Sequence, residues 1–310
     1  MLKYLKDYRW ADMRQMLENN RATQRESTLR MDGKLCVVTG CTSGVGWEIA
    51  RSLASFGASI VMVNRNKEKS ELACNQLRED FGAKCSYLLA NFSNLGQVRD
   101  AADSLVKAYD RIDLLVNNVG MHSTTLTRTS DGLETVFCVN HLASFTLTWK
   151  LLDTMRQSTP SRIIQVNSQG HRFGGLNPSD LNWRTRHYTG LRGYGAAKTA
   201  QLLTMWEFAD LLKGSGVTIN AVHPGAVRTH IGSNNGPLYR WFNDNIVSRT
   251  LKDPVIAGQA VHYLATAPEL ETISGKYFNL THVETPAPHA LDRQVGRMIW
   301  EESLRLAGLL

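Results

Sequence analysis

The stretch Leu35-Cys-Val-Val-Thr39-Gly40-Cys41-Thr42-Ser43-Gly44-Val45-Gly46 runs a short apolar segment into a glycine-rich turn. An apolar period of 3.6 residues begins directly behind it, over about 45–56. The order is therefore strand, glycine turn, helix. Glycines at such a junction permit a tight turn, let backbone approach a pyrophosphate and bring helix and sheet close together. The helix N-terminus adds free N–H groups and the positive end of its dipole. An ordinary glycine-rich turn is the plain alternative, and the flanking elements favour a nucleotide cradle.

Outward from this junction the alternation repeats. Strand-sized apolar runs are predicted at Leu35–Thr39, Ser59–Val63, Ser86–Ala90, Leu114–Asn117, Arg162–Asn167, Thr218–His223 and Tyr277–Leu280. Helical periods fall near 45–56, 67–80, 95–109, 132–157, 193–213 and 255–266. Strands alternating with helices imply right-handed crossovers and an α/β fold, a single doubly wound parallel sheet with helices on both faces. Residues 1–31 read as a polar N-terminal extension with one or two amphipathic turns, and 32–310 as one dinucleotide-binding domain. Within that domain the pattern suggests a substrate lid at about 230–252 and a C-terminal tail at about 283–310.

A chain of 310 residues with 43% apolar and 20% charged residues, 24 Gly and 8 Pro, is neither disordered nor collagenous. At this length roughly 75% of the unfolded chain's surface can be buried without metal or disulfide staples. Runs such as Ile60–Val63 and Ile112–Val116 fall well short of the ~18 apolar residues of a membrane span. The five cysteines, Cys36, Cys41, Cys74, Cys85 and Cys138, are scattered and suggest reduced core thiols in a cytoplasmic setting. Acidic Asp7, Asp12, Glu18 and Glu26 argue against a transit peptide, leaving peripheral membrane contact as the alternative role of the extension. The formal charge of +7 is spread along the chain. That spread argues against a nucleic-acid partner, while the net positive field favours anionic ligands.

Four further features follow in order: Asn117-Asn118-Val119-Gly120, Ser168, Tyr194-Gly-Ala-Ala-Lys198 and His223-Pro224-Gly225 with Val227 and Thr229. Together with the G-x-x-x-G-x-G turn, they resemble the short-chain dehydrogenase/reductase family over roughly residues 33–282. The texture around Asn182, Gly216–Gly225 and Ser274–Phe278 is most similar to its retinol-dehydrogenase-like members. The resemblance implies a Rossmann-type fold and an oxidoreductase that interconverts a carbonyl and an alcohol. It makes Tyr194 the acid/base, Lys198 its electrostatic tuner and ribose ligand, Ser168 the carbonyl holder and Asn140 a residue of a water-linked proton relay. Gly40, Thr42, Ser43, Gly44, Val45, Gly46, Asn64, Arg65, Asn91, Phe92, Asn118, Gly120, Tyr194, Lys198, Pro224, Gly225, Val227 and Thr229 are the implied cofactor contacts. Pairing through the helix of Tyr194 and its neighbour would give a homodimer or homotetramer.

The residue types suit that chemistry. Tyr194 and Lys198 are four apart and share a helix face. A phenol is a poor base near neutrality, and an ammonium beside it draws its pKa down. A hydroxyl at a strand's carboxyl end, as at Ser168, can hold an oxygen on which negative charge develops. Ser168 with His171 as a hydrolase pair is disfavoured, because Val166 stands where the nucleophile elbow needs glycine. His141, His171 and His223 read as structural or lining residues, and the chemistry requires no metal.

Asn91 replaces a usual aspartate at the adenine end, and Val119 a usual alanine. After the second strand, Asn64-Arg65-Asn66-Lys67 carries no acid for a ribose 2′-OH, whereas Arg65 can meet a 2′-phosphate. NADP(H) is therefore expected over NAD(H). Phe173, Trp183 and Tyr188 in the insert before Tyr194, and Trp241 after Thr229, are candidates for an apolar wall around a small lipophilic aldehyde, ketone or alcohol. Reduction of an activated C=C bond, and NADP(H) sensing without turnover, are the competing functions.

Overall fold

The computed structural model describes residues 2–225 and 253–310. Its described strands are β1 Leu35–Thr39, β2 Ser59–Asn64, β3 Cys85–Leu89, β4 Leu114–Asn117, β5 Ser161–Val166, β6 Val217–His223, β7 Tyr277–Asn279 and β8 His282–Val283. They form one sheet in the order β3-β2-β1-β4-β5-β6-β7-β8. All neighbours are parallel except the β7–β8 edge. The order reverses direction at β1–β4, so the crevice for a ligand lies beyond the carboxyl ends of those strands.

The strands are apolar almost throughout because both faces are covered. Val37, Val61, Val63, Leu115, Ile163 and Ile219 pack into one core. Cys36, Val38, Ile60, Met62, Leu114, Val116 and Ile164 pack into the other. The alternation is the strand period of two, read against two layers of helix rather than against water.

The main helices are α1 Trp10–Arg21, α2 Gly44–Ser55, α3 Lys67–Phe81, α4 Leu95–Ala108, α5 Ala143–Gln157, α6 Gly190–Leu211, α7 Val255–Thr266 and α8 Arg293–Leu306. α2 buries Val45, Ile49, Ala50, Leu53 and Ala54. It also meets α7 so closely that a Cβ on Gly258 would strike the Glu48 carbonyl.

The helical period expected over 132–157 is interrupted. A short α-turn at Thr135–Phe137, capped by the Glu134 carboxylate, opens into a π-turn at Cys138–Leu142 before α5 begins. Apolar periodicity does not register such a widened turn. At its centre, buried Asn140 turns its amide to a neighbouring loop. α6 starts at Gly190 rather than near 193, because the Thr189 side chain accepts a hydrogen bond from Arg192 N and caps it.

The segment expected as a C-terminal tail contains α8, which lies across α5 and α6. Trp300 meets Phe145, Phe208 and Trp149 edge to face, with ring centroids 5.2, 4.6 and 5.7 Å apart. Arg99 of α4 donates to the Ala307 carbonyl at 2.7 Å. α8 thus covers part of the helix pair through which copies were expected to associate.

The N-terminal extension is a 3₁₀ turn, Leu2–Asp7, followed by α1, which buries no residue and leaves Trp10 85% exposed. It is tied down by polar contacts to residues near the other end of the chain. Gln15 Oε1 accepts from Thr285 N, and Tyr4 donates to Asp292.

Candidate active site

A cleft of about 1510 Å³ runs along the carboxyl ends of the strands. At one end is the glycine turn. Gly40 and Gly44 take φ of +65° and +58°, conformations that favour glycine. Gly46 has another reason to be glycine: a Cβ there would collide with Gly40 O and Asn118 Nδ2. Asn118 ties the ends of β1 and β4 together, its Nδ2 donating at 2.9 Å to both the Thr39 and Gly40 carbonyls. Ser43 precedes α2 without a side-chain cap bond, so no side chain of its own closes the first turn's amides to an anion. This backbone cradle suits a dinucleotide's phosphates.

Asn64 and Arg65 line the same cleft. Asn64 is buried and spends its amide locally, accepting from Cys41 N at 2.9 Å and donating to Ser70 Oγ at 3.1 Å. It therefore locks the turn to α3. Arg65 is exposed, and Lys69, one helical turn into α3, lines the cleft beside it. Sequence reading passed over Lys69; an i, i+4 match to Arg65 was the available signal. Asn91 and Phe92 also line the wall, but Asn91 Oδ1 already accepts from Ser93 N and Oγ.

At the other end the cleft brings together Ser168, Tyr194 and Lys198, with Gly120, Pro224 and Gly225 nearby. Ser168 follows β5, and its Oγ accepts from Gly170 N at 3.0 Å. Gly170 is a residue that sequence reading missed: a Cβ on it would run into the Tyr194 ring. The serine turn and the tyrosine are thus packed backbone against ring.

Lys198 is 2% exposed, and burial pushes its ammonium pKa down to about 7. Its Nζ donates to the Val166 carbonyl at 2.8 Å and lies 5.9 Å from the Tyr194 ring centroid. The phenol's pKa is raised by burial and opposed by its hydrogen bond with Ser168. Burial and the Ser168 bond, rather than Lys198, set the direction of that shift.

Asn140 is fully buried within the π-turn. Its Oδ1 accepts from Met121 N at 2.6 Å and its Nδ2 donates to Met121 O at 2.8 Å. Both ends of the amide thus hold the loop after β4.

Of the expected substrate residues, Phe173 lines the cleft and is 47% exposed. Trp183 and Tyr188 do not line it. Trp183 is 3% exposed beneath the Arg186 guanidinium, whose carbon lies 4.0 Å from the ring centroid. Tyr188 meets it edge-on at 5.3 Å and donates to the Ser123 carbonyl. These aromatics form a satellite cluster that steadies the insert. Leu191, 56% exposed, and Met121, His122 and Val139 line the cleft instead. Trp241, Val227, Thr229 and the expected lid at 230–252 lie outside the described residues.

The hydrolase alternative fails on geometry. His171 Nδ1 bonds the Ser168 carbonyl at 2.7 Å and Nε2 faces Ala287 N at 3.0 Å, leaving neither nitrogen for Ser168 Oγ. Among the described residues, no group of three or more His, Cys, Asp or Glu could hold a metal ion. Nor is any described helix long and apolar enough to cross a membrane.

Comparison with known proteins matches residues 34–238 to the short chain dehydrogenase family. Over 288 residues the chain is 38% identical to Retinol dehydrogenase 13 of Homo sapiens, covering 91% of this chain and 87% of that protein. It is 36% identical over 296 residues to Retinol dehydrogenase 14 of Homo sapiens, with 90% and 88% covered. A solved structure of an uncharacterized protein from Mycobacterium Paratuberculosis has 26% identity and a TM-score of 0.75, over 92% of this chain and 98% of that one. A short chain dehydrogenase from Burkholderia cenocepacia J2315 in complex with NADP has 23% identity and a TM-score of 0.64, over 83% and 99%, a likeness of fold.

Proposed function

The chain belongs to the short chain dehydrogenase family, and we propose that it is an NADP-dependent oxidoreductase acting on a lipophilic aldehyde, ketone or alcohol. Interconversion of carbonyl and alcohol is the activity that the family and its retinol dehydrogenase relatives support. The observation that carries the finer reading is a single cleft that joins the glycine turn, Arg65 and Lys69 to Ser168, Tyr194 and Lys198.

The glycine turn from Gly40 to Gly46 would hold the cofactor's phosphates, Arg65 and Lys69 a 2′-phosphate, Asn91 and Phe92 the adenine, and Asn118, Gly120, Lys198, Pro224 and Gly225 the nicotinamide half. Bound NADP(H) supplies or accepts the hydride. Ser168 Oγ then donates to the carbonyl oxygen, and Tyr194 gives its phenolic proton to the alkoxide that develops there. In the alcohol direction Tyr194, as the phenolate, takes the hydroxyl proton while Ser168 keeps its hydrogen bond to the oxygen. Lys198, held close to neutrality, can gain or lose a proton at modest cost and so tune Tyr194 across the catalytic step. The exposed apolar side chains of Phe173 and Leu191 in the cleft support a lipophilic substrate. The five unpaired, buried thiols suit a reducing, cytoplasmic compartment, with α1 as the surface through which any membrane contact would form.

Cofactor choice is tested by titrating NADPH and NADH into wild-type protein and Arg65→Ala. A charge-assisted bond is worth about 1.5–3 kcal/mol, so NADPH affinity should fall by about ten-fold or more while NADH affinity barely changes. Equal losses, or wild-type preference for NADH, would overturn the assignment.

A further inference from the structure

The turn carrying Ser168 is held from behind by a chain of hydrogen bonds whose direction can be assigned. A backbone N–H only donates, so His171 Nε2, 3.0 Å from Ala287 N, is the bare acceptor nitrogen. The ring proton therefore sits on Nδ1, 2.7 Å from the Ser168 carbonyl. The same logic applies one step back. A carbonyl only accepts, so His289 Nε2, 2.8 Å from the His171 carbonyl, carries a proton. Burial lowers the pKa of both rings, which keeps them neutral. His289 Nδ1 is then the acceptor for the Tyr8 hydroxyl at 3.2 Å. The chain reads Tyr8 to His289, His289 to the His171 carbonyl, and the His171 ring to the Ser168 carbonyl.

Its neighbours reinforce it. Gln169 Nε2 and Arg172 donate to Glu284 at 2.6 and 2.9 Å, and Arg172 also donates to the Thr285 carbonyl. Thr285 N in turn donates to Gln15 in α1. On its front, the same turn presents Ser168 Oγ to the cleft and presses Gly170 against Tyr194. A rotation of the peptide after Ser168 would move both groups at once.

We propose that His171 is a positioning residue for Ser168, its tautomer fixed by Ala287 and its place held by His289 and Tyr8, so that the N-terminal extension is part of the active-site scaffold. This rests on the reading of Ser168 as the group that holds the substrate oxygen. The alignment of the serine turn is thereby set by side chains that never touch substrate.

The test uses full-length protein with decanal and NADPH, NADPH binding by fluorescence, thermal melts, and nitrogen-15 spectra of labelled histidines. The His171 resonances, identified by their loss in His171→Gln, should report the proton on Nδ1. His171→Gln keeps an acceptor for Ala287 but loses the donor facing Ser168, so kcat should fall by about ten-fold with NADPH affinity unchanged. His171→Asn keeps a short donor and should recover much of that loss. Tyr8→Phe, at a half-buried site, should lower kcat a few-fold while leaving the melting temperature nearly unchanged. A proton on Nε2 of His171 would overturn the proposal. So would equal kcat losses in the Gln and Asn variants that follow their losses of thermal stability, or a Tyr8→Phe protein with wild-type kcat. Wild-type kcat in Ser168→Ala would instead sink the serine's assigned role, and the histidine spectra tell that failure apart from failure of the hydrogen-bond chain.

Discussion

The two ends of the cleft are built in different ways. The end at the glycine turn, proposed above to hold the phosphates, is made from backbone: Gly40, Gly44 and Gly46 shape it, and Asn64 and Asn118 lock it to adjacent strand ends. The end with Ser168, Tyr194 and Lys198, proposed above to carry proton transfer, is made from side chains. Its serine turn is braced by Glu284, Ala287 and His289, and through His289 by Tyr8, which lies 281 positions from that histidine in sequence. A backbone cradle needs little beyond small residues in the right order, whereas an aligned donor needs a shell that stops it from rotating. The first end should therefore fail by steric crowding and the second by misalignment.

The sharpest separation is expected from Tyr194→Phe. It keeps the ring that packs on Gly170 and removes the transferable proton, so kcat should fall by about 10²–10⁴ while NADPH affinity stays close to wild type. Steady-state kinetics and cofactor titration on one preparation check both halves, and near-normal kcat would break the contrast. Trp183→Ala probes the insert beside the proton-transfer end. Its indole is buried away from the cleft, so the expected result is a stability loss of about 3–5 kcal/mol by denaturant melts. Relative activity on short and long aldehydes should not change, and a selective loss on long ones would return Trp183 to the substrate wall. The finest comparison sets Gly46→Ala against Gly170→Ala, each overpacking its site by about 1–3 kcal/mol. The Gly46 variant should raise KM for NADPH with kcat less affected. In the Gly170 variant kcat should fall, and KM for NADPH should hold.

The same contrast explains what could be read from sequence. Glycine turns, strand runs and the Tyr194/Lys198 spacing are local patterns, and each was legible because its cause lies within a few residues. The π-turn at Cys138–Leu142 was not, since apolar periodicity responds to burial and not to an amide reaching Met121. The place of Trp183 and Tyr188 outside the described cleft lining is not legible, because aromatic residues in an insert satisfy a cleft wall and a cation-covered cluster equally well. What distinguishes the two is where Arg186 folds back, which composition does not carry. His171 stands near the serine in sequence, but its partner Ala287 is 116 positions on, and only tertiary structure joins them.

That separation also orders the events of synthesis. A nascent chain that has emerged only through residue 280 already contains the glycine turn, Ser168, Tyr194 and Lys198. The supports supplied by Glu284, Ala287 and His289 are still to come, and until they arrive Tyr8 has no histidine to meet. The residues of the cofactor cradle are all present by then, whereas the serine turn gains its full support only when the earliest residues meet a late segment.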